Sequence, residues 1–348
     1  LGRPTQRINF HLIAKQMIIQ DIPQSKSQYG LMPTSETRII KDGELDAGLW
    51  HSLRDQVVTA TECSALFGVN PWMDLYTYWH IKHKGWENSF EETNFTFWGR
   101  QLEDAIAQGV AIAEGWQDLE YMLERCRSFH RHPDHTIRLG VTPDFFLNRV
   151  RFYDRLALEI KNVSVQSWRE NWNHVDEEGN SFTGPPIYYE MQLQAQLITC
   201  GLQWGAIVAL VGGNEHHIFV RERNASFETA LLRAVREFWQ LERAPEVETS
   251  MIPMESIKRA FPRFEKPVTL DPESESGRAF ILQAQICINR KKQAELSEAE
   301  ADDAKKEIIK MSGGINRIKC AGYSFTRAKN DAILVRYKAP AERLTLEW

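Results

Sequence analysis

The sequence predicts an α/β fold, with a mixed central sheet flanked by helices and a helical and β-hairpin appendage at the C-terminal end. Three observations lead there. Apolar runs of strand length, LGVTPDFFL, RLALEIKNVS and WGAIVALVGG, lie between residues 139 and 213. Segments with apolar residues at helical spacing stand before, between and after them. A stretch rich in proline and charge, EVETSMIPMESIKRAFPRFEKPVTLDPESESG, then parts this region from the C-terminal end of the chain, as domain boundaries commonly do.

The elements run in order. Residues 1–47 are weakly periodic and read as an N-terminal extension strapped onto the main domain, which runs from 48 to 245. From residue 48 the chain predicts two short helices around the Asn70-Pro71 turn, with a cap near Thr59 or Thr61. FWGRQLEDAIAQGVAIAEGW reads as a helix with Leu102, Ile106, Val110 and Ala113 as its stripe, and Gly115 is placed to end it. TIRLGVTPDFFL and RLALEIKNVS read as strands joined by the turn NRVRFYD, and a loop containing GNSFTGPP precedes the helix IYYEMQLQAQLITCG. WGAIVALVGG and HHIFVRE read as strands, and SFETALLRAVREFWQLERA as an amphipathic helix that completes the domain. Residues 246–348 read as the linker, a long helix or helical hairpin, and a small β-hairpin.

Composition narrows the function. With 348 residues, 43% of them hydrophobic, and eleven tryptophans, the chain is a folded protein too long for one small core. A net charge of -5 argues against a blanket nucleic-acid coat but allows a local basic channel. No apolar run reaches membrane-span length, and nothing resembles a secretory signal, so no membrane role is expected. The cysteines (63, 126, 200, 287 and 320) are scattered without metal spacing, which predicts reduced thiols in a cytosolic setting.

The chemistry lies where two strands carry charge toward the core. Asp144 ends the first, and Glu159 and Lys161 stand in the second. Strand alternation turns Glu159 and Lys161 to one side and Ile160 to the other. Neighbouring buried carboxylates repel each other unless a cation sits between them, and Mg²⁺ suits a few carboxylate oxygens plus water. An ammonium beside such an ion can orient water or stabilise charge at phosphorus. Pro143 keeps Thr142 extended before the acid. An ExK pair alone is usually a surface salt bridge. The set of Asp144, Glu159 and Lys161, with Glu103 on the preceding helix, shifts the reading to a metal-dependent nuclease; Asp104 is the solvent-facing acid beside Glu103. Tyr188, Gln192 and Gln196 share a helix face suited to a DNA backbone. The cluster RCRSFHRHPDHTIR fits a phosphate track or a charged loop equally, and its histidines lack zinc spacing.

These motifs resemble the PD-(D/E)xK nuclease superfamily and, within it, the YqaJ-like viral recombinase and lambda exonuclease family, over roughly residues 48–240. The resemblance implies a restriction-endonuclease-like core with Glu103, Asp144, Glu159 and Lys161 as catalytic residues. It implies metal ligation by Asp144, Glu159, the Ile160 carbonyl and Glu103, with Mg²⁺ as the ion and Mn²⁺ as a substitute. LWHSLRDQVVTATECSALFGVNPW, VTPD and IYYEMQLQAQL imply a 5′-phosphate and DNA site at Arg54, Thr61, Thr142 and Gln192; Asp134 and Gln196 match further positions. Phe145 stands where the family often has glycine, and threonine replaces serine at 61. The clustered cysteines of the iron–sulfur branch are absent. The implied activity is 5′-to-3′ degradation of duplex DNA ends, leaving 3′ single strands for an annealing partner in recombination. The implied setting is the cytoplasm of a bacterial host, for a phage or mobile element, with a homo-oligomeric ring as a common assembly. A specific endonuclease on the same core, or an inactive end-binding module, are the competing readings.

Overall fold

The computed structural model describes residues 35–37, 47–88, 92–116, 120–149, 154–175, 179–263, 267–292, 298–321 and 323–337. The N-terminal extension therefore lies outside the described residues except for a strand, β1 (Ser35–Thr37). The chain forms two compact units, divided between Ala244 and Pro245.

The first unit continues with α1 (Ala47–Asp55), β2 (Val58–Thr59), α2 (Leu75–Lys84), α3 (Asn94–Ala113), β3 (Tyr121–Arg125), β4 (Phe129–Arg131) and β5 (Leu139–Val141). Then come β6 (Phe145–Arg149), β7 (Asp154–Val163), α4 (Val165–Asn171), β8 (Asn173–Val175), β9 (Ser181–Thr183) and α5 (Ile187–Cys200). It closes with β10 (Trp204–Val211), β11 (Glu215–Glu222) and α6 (Ala225–Gln240). The central sheet has the order β11-β10-β7-β6-β3, and a second sheet the order β1-β4-β5-β2. Only β7 and β10 pair in parallel within the central sheet, so the chain must cross over between them; it does so through α4, the β8–β9 hairpin and α5.

That pair is buried on both faces, which is why RLALEI and WGAIVALV read as nearly continuous apolar runs. Leu156, Leu158 and Ile160, with Ala206 and Val208, pack against Ile106, Ala107 and Val110 of α3. Ala157 and Val163, with Ile207 and Ala209, pack against Leu193 and Leu197 of α5. Gly205 lets α5 come this close, because a Cβ there would meet the Ala157 carbonyl at 2.8 Å and Leu193 Cδ1 at 2.9 Å.

Several local expectations change. The segment before Lys84 holds a separate 3-10 turn at Cys63–Phe67 between α1 and α2, and Thr59 lies in a strand rather than a cap. Helix α3 begins at a capping box on Thr93, and Gly115 follows it at φ +71°. Its buried stripe is Ile106, Ala107, Val110 and Ala111; Ala113 is exposed because it lies to one side of that stripe. Part of the GNSFTGPP stretch is strand β9 rather than loop, pairing with β8. The centre of the turn NRVRFYD lies outside the described residues.

The second unit contains α7 (Met254–Ala260), β12 (Val268–Thr269), α8 (Glu275–Lys292), α9 (Glu298–Ser312), β13 (Arg317–Cys320), β14 (Tyr323–Arg327) and β15 (Ile333–Tyr337). Helices α8 and α9 pack together as a hairpin. The expected β-hairpin is a three-strand meander, β13-β14-β15, extended by β12 into a four-stranded sheet. Among the described residues no helix is long and apolar enough to cross a membrane.

Candidate active site

Strand β6 stops pairing with β7 at Phe145 opposite Leu158, so β7 runs on past it toward Val163. Asp144 sits at this divergence. Its Oδ2 accepts the Ile160 amide at 2.8 Å, a main-chain donor that the missing ladder partner leaves open.

Glu159 and Lys161 project from the β7 face turned to α5, among Ala157, Ile207 and Ala209. Such a layer does not tolerate unpaired charge, and the structure pairs it fully. Glu159, 2% exposed, accepts from Gln192 Nε2 and Gln196 Nε2 at 2.6 Å each, and from the Lys161 ammonium. Lys161 also lies 4.6 Å from the Tyr189 ring centroid. Burial alone would lower the Lys161 pKa, but Glu159, Tyr189 and Asp144 beside it hold it above the usual lysine range. Burial pushes the Asp144 carboxyl well above the ordinary carboxylate range, and the charges of Glu159 and Glu103 add to the shift.

Glu103 joins from α3 on the opposite side of the sheet. Its Oε2 accepts from Arg125 Nη2 at 3.1 Å, and Arg125 also pairs with Asp104. Arg125 sits across the ladder from Phe145, directly beside the Asp144 position. Its role as a brace for Glu103 was not legible in the sequence, where it lay in the ambiguous RCRSFHRHPDHTIR cluster; only strand pairing brings it to α3.

The remaining candidates divide. Strands β2 and β5 run in parallel, Val58 opposite Leu139 and Thr59 opposite Gly140, so Thr61 and Thr142 leave the sheet at the same edge. Thr142 Oγ1 is buried with no hydrogen-bond partner among the described residues. Arg54 lies in the last turn of α1, close enough to Glu62 for its charge to act there. Lys82 Nζ donates to the Arg54 carbonyl at 2.9 Å and lies 3.0 Å from Glu62 Oε2, so the ends of α1 and α2 are fastened together. Gln192 and Gln196 do not present a solvated face to a ligand. They are 8% and 0% exposed, and their amides hold Glu159, because α5 is buried from Met191 to Cys200. Asp134 is set apart from the acids: its carboxylate caps the turn at Thr136 and faces Arg236 at 3.8 Å. An Asx turn there explains its conformation without any ligand.

The structure thus gathers a carboxylate pair at a strand divergence, an ammonium beside it and a further acid across the sheet. Residues 49–203 match the family model of the YqaJ-like viral recombinase domain. The chain is 23% identical over 239 residues to an uncharacterized protein YqaJ of Bacillus subtilis (strain 168), covering 67% of this chain and 69% of that protein. The alkaline exonuclease LHK-Exo of Laribacter hongkongensis is 19% identical, with a TM-score of 0.41 over 55% of this chain and 90% of that one. A phage-related exonuclease of Haemophilus somnus 129PT is 10% identical, with a TM-score of 0.37 over 53% of this chain and 93% of that one.

Proposed function

We propose that the chain is a divalent-metal-dependent nuclease that degrades duplex DNA from its ends in the 5′-to-3′ direction, leaving 3′ single strands for a partner annealing protein. The observation that carries this reading is the Glu159–Lys161 pair, with Glu159 buried and Lys161 half-buried in an otherwise apolar layer, beside the Asp144 carboxylate. Mere stability gives no reason to bury those charges, since apolar residues of similar volume fold at least as well.

Among the described residues no group of three or more His, Cys, Asp or Glu side chains forms a ready chelate. That donor set still fits Mg²⁺, which takes one or two carboxylates and keeps several waters. Asp144 and Glu159 would hold it with the Ile160 carbonyl, and Glu103 would act from across the sheet. When bound, the ion supplies positive charge at the scissile phosphate. Gln192 and Gln196 fix the Glu159 carboxylate, Arg125 fixes Glu103, and the Lys161 ammonium would stabilise charge on the phosphoryl oxygens or orient water.

Polarity requires recognition of the terminus. Arg54, Thr61 and Thr142 are the groups this reading assigns to a 5′-phosphate, a guanidinium giving paired charge-assisted hydrogen bonds and hydroxyls adding to them. Linear duplexes labelled at the 5′ or the 3′ end, incubated with Mg²⁺ beside a closed circle, test the whole reading. Early loss of the 5′ label with an intact circle is expected. Cutting of the circle would instead favour an endonuclease. On the same substrates, 5′-phosphorylated ends should be degraded roughly tenfold to a hundredfold faster than 5′-hydroxyl ends, the worth of a hydrogen-bonded charge. Arg54→Ala should remove most of that difference, and equal wild-type rates on both ends would refute the phosphate site.

A further inference from the structure

The sheet of the second unit has two unlike faces. Ile318, Cys320, Phe325 and Val335 are buried on the side that α8 covers, where the Cys320 thiol approaches the Gly277 carbonyl. The register sets Arg317, Thr326 and Leu334 in one row across the other face, and Lys319, Ser324 and Arg336 in the next. Arg317, Lys319 and Arg336 are all exposed, and among the described residues none of them is in an ion pair. Among the described residues of β12, β13, β14 and β15 there is no acid. Between residues 312 and 337 only Asp331 is acidic, and it is held by Arg327. Guarding a sheet edge against aggregation would explain a cation on the edge strand β15, but Arg317 and Lys319 stand on the interior strand β13.

We propose that this face of the second unit binds the phosphate backbone of duplex DNA, independently of sequence. The proposal rests on the reading of the chain as a DNA enzyme. Strands about 4.8 Å apart, and rows about 6.8 Å apart along them, place three cations and two hydroxyls within reach of a few successive phosphates. Ser324 stands between Lys319 and Arg336, and Thr326 beside Arg317, where hydroxyls add phosphate hydrogen bonds. The two rows carry no aromatic side chain, so they offer no stacking platform for unpaired bases, and duplex is the better fit than single strand. Such a face would hold the enzyme on its substrate between cuts.

The test is binding by the full chain in a chelating buffer, so that nothing is cut. The probe is a fluorescent duplex closed at both ends by hairpin loops, which offers no terminus. Each phosphate contact contributes about 0.9 to the slope of log affinity against log salt. The triple variant R317Q/K319Q/R336Q should lower that slope by about 2–3 and weaken binding at least about tenfold at 0.1 M salt. R317K/R336K keeps the charges and should keep the slope. A folded triple variant with wild-type slope and affinity would overturn the proposal. So would tighter binding of a single strand lost in the same variant, or a loss of self-association alone, which would give the face to a second copy. A reduced slope in a protein that never cuts DNA would leave this proposal standing and sink the nuclease reading, so the two fail separately.

Discussion

Asp144→Asn is expected to abolish DNA cleavage and at the same time to raise the thermal stability of the metal-free protein. The half-buried carboxyl stands near Glu159 and Glu103, and both desolvation and repulsion oppose its charge. Asparagine keeps an oxygen to accept from the Ile160 amide but removes the charge, so the native state loses a penalty and no hydrogen bond. Cleavage should fall by at least about 10²–10³-fold, the scale for one electrostatic contributor to a transition state. Melting in chelator and end-degradation in Mg²⁺, measured on the same preparation, check both halves. A variant that is less stable and inactive would mean that Asp144 is structural.

Glu62→Ala is expected to destabilise the first unit by about 3–5 kcal/mol, the cost of stranding one member of a buried ion pair. The Lys82 side chain is 2% exposed and depends on Glu62, which also accepts from the Tyr78 hydroxyl and the Thr59 amide. Burial would raise the Glu62 pKa, but Lys82 and Arg54 overrule it and hold the carboxyl below its ordinary value. A depressed carboxylate contributes stability that is present above the unfolded value, about 4.3, and is lost as pH falls through the folded one. The difference between wild type and Glu62→Gln should therefore be full at neutral pH and close below pH 4. Urea unfolding across that range measures it; a pH-independent difference would show that the charge pair is not what matters.

Much of the grouping of Asp144, Glu159 and Lys161 was legible because strand alternation is a local rule. Glu159, Ile160 and Lys161 divide between the faces by period two, whatever the rest of the chain does. What stayed hidden depends on tertiary pairing. Gln192 and Gln196 read as a polar helix face because nothing in α5 itself reveals that a buried carboxylate waits on β7. Nothing in the sequence singles out Glu62 and Lys82, since only the fold of the intervening turn brings them together. Arg125 needed the β3–β6 register, and Asp134, near Asp144 in sequence, is carried away by the β4–β5 turn. The terminal meander was read as a hairpin because its third strand differs little in pattern from the other two.

The central claim is that Lys161, held by Glu159 beside Asp144, acts in phosphodiester hydrolysis. The most direct test is nucleotide release from a 5′-phosphorylated linear duplex in Mg²⁺, comparing wild type with Lys161→Ala, with Mg²⁺ affinity measured by calorimetry alongside. Release should fall by roughly 10²–10⁴-fold in the variant, the usual worth of a positioned proton-transfer or charge-stabilising group, with Mg²⁺ affinity nearly unchanged. A near-wild-type rate in Lys161→Ala would contradict the account.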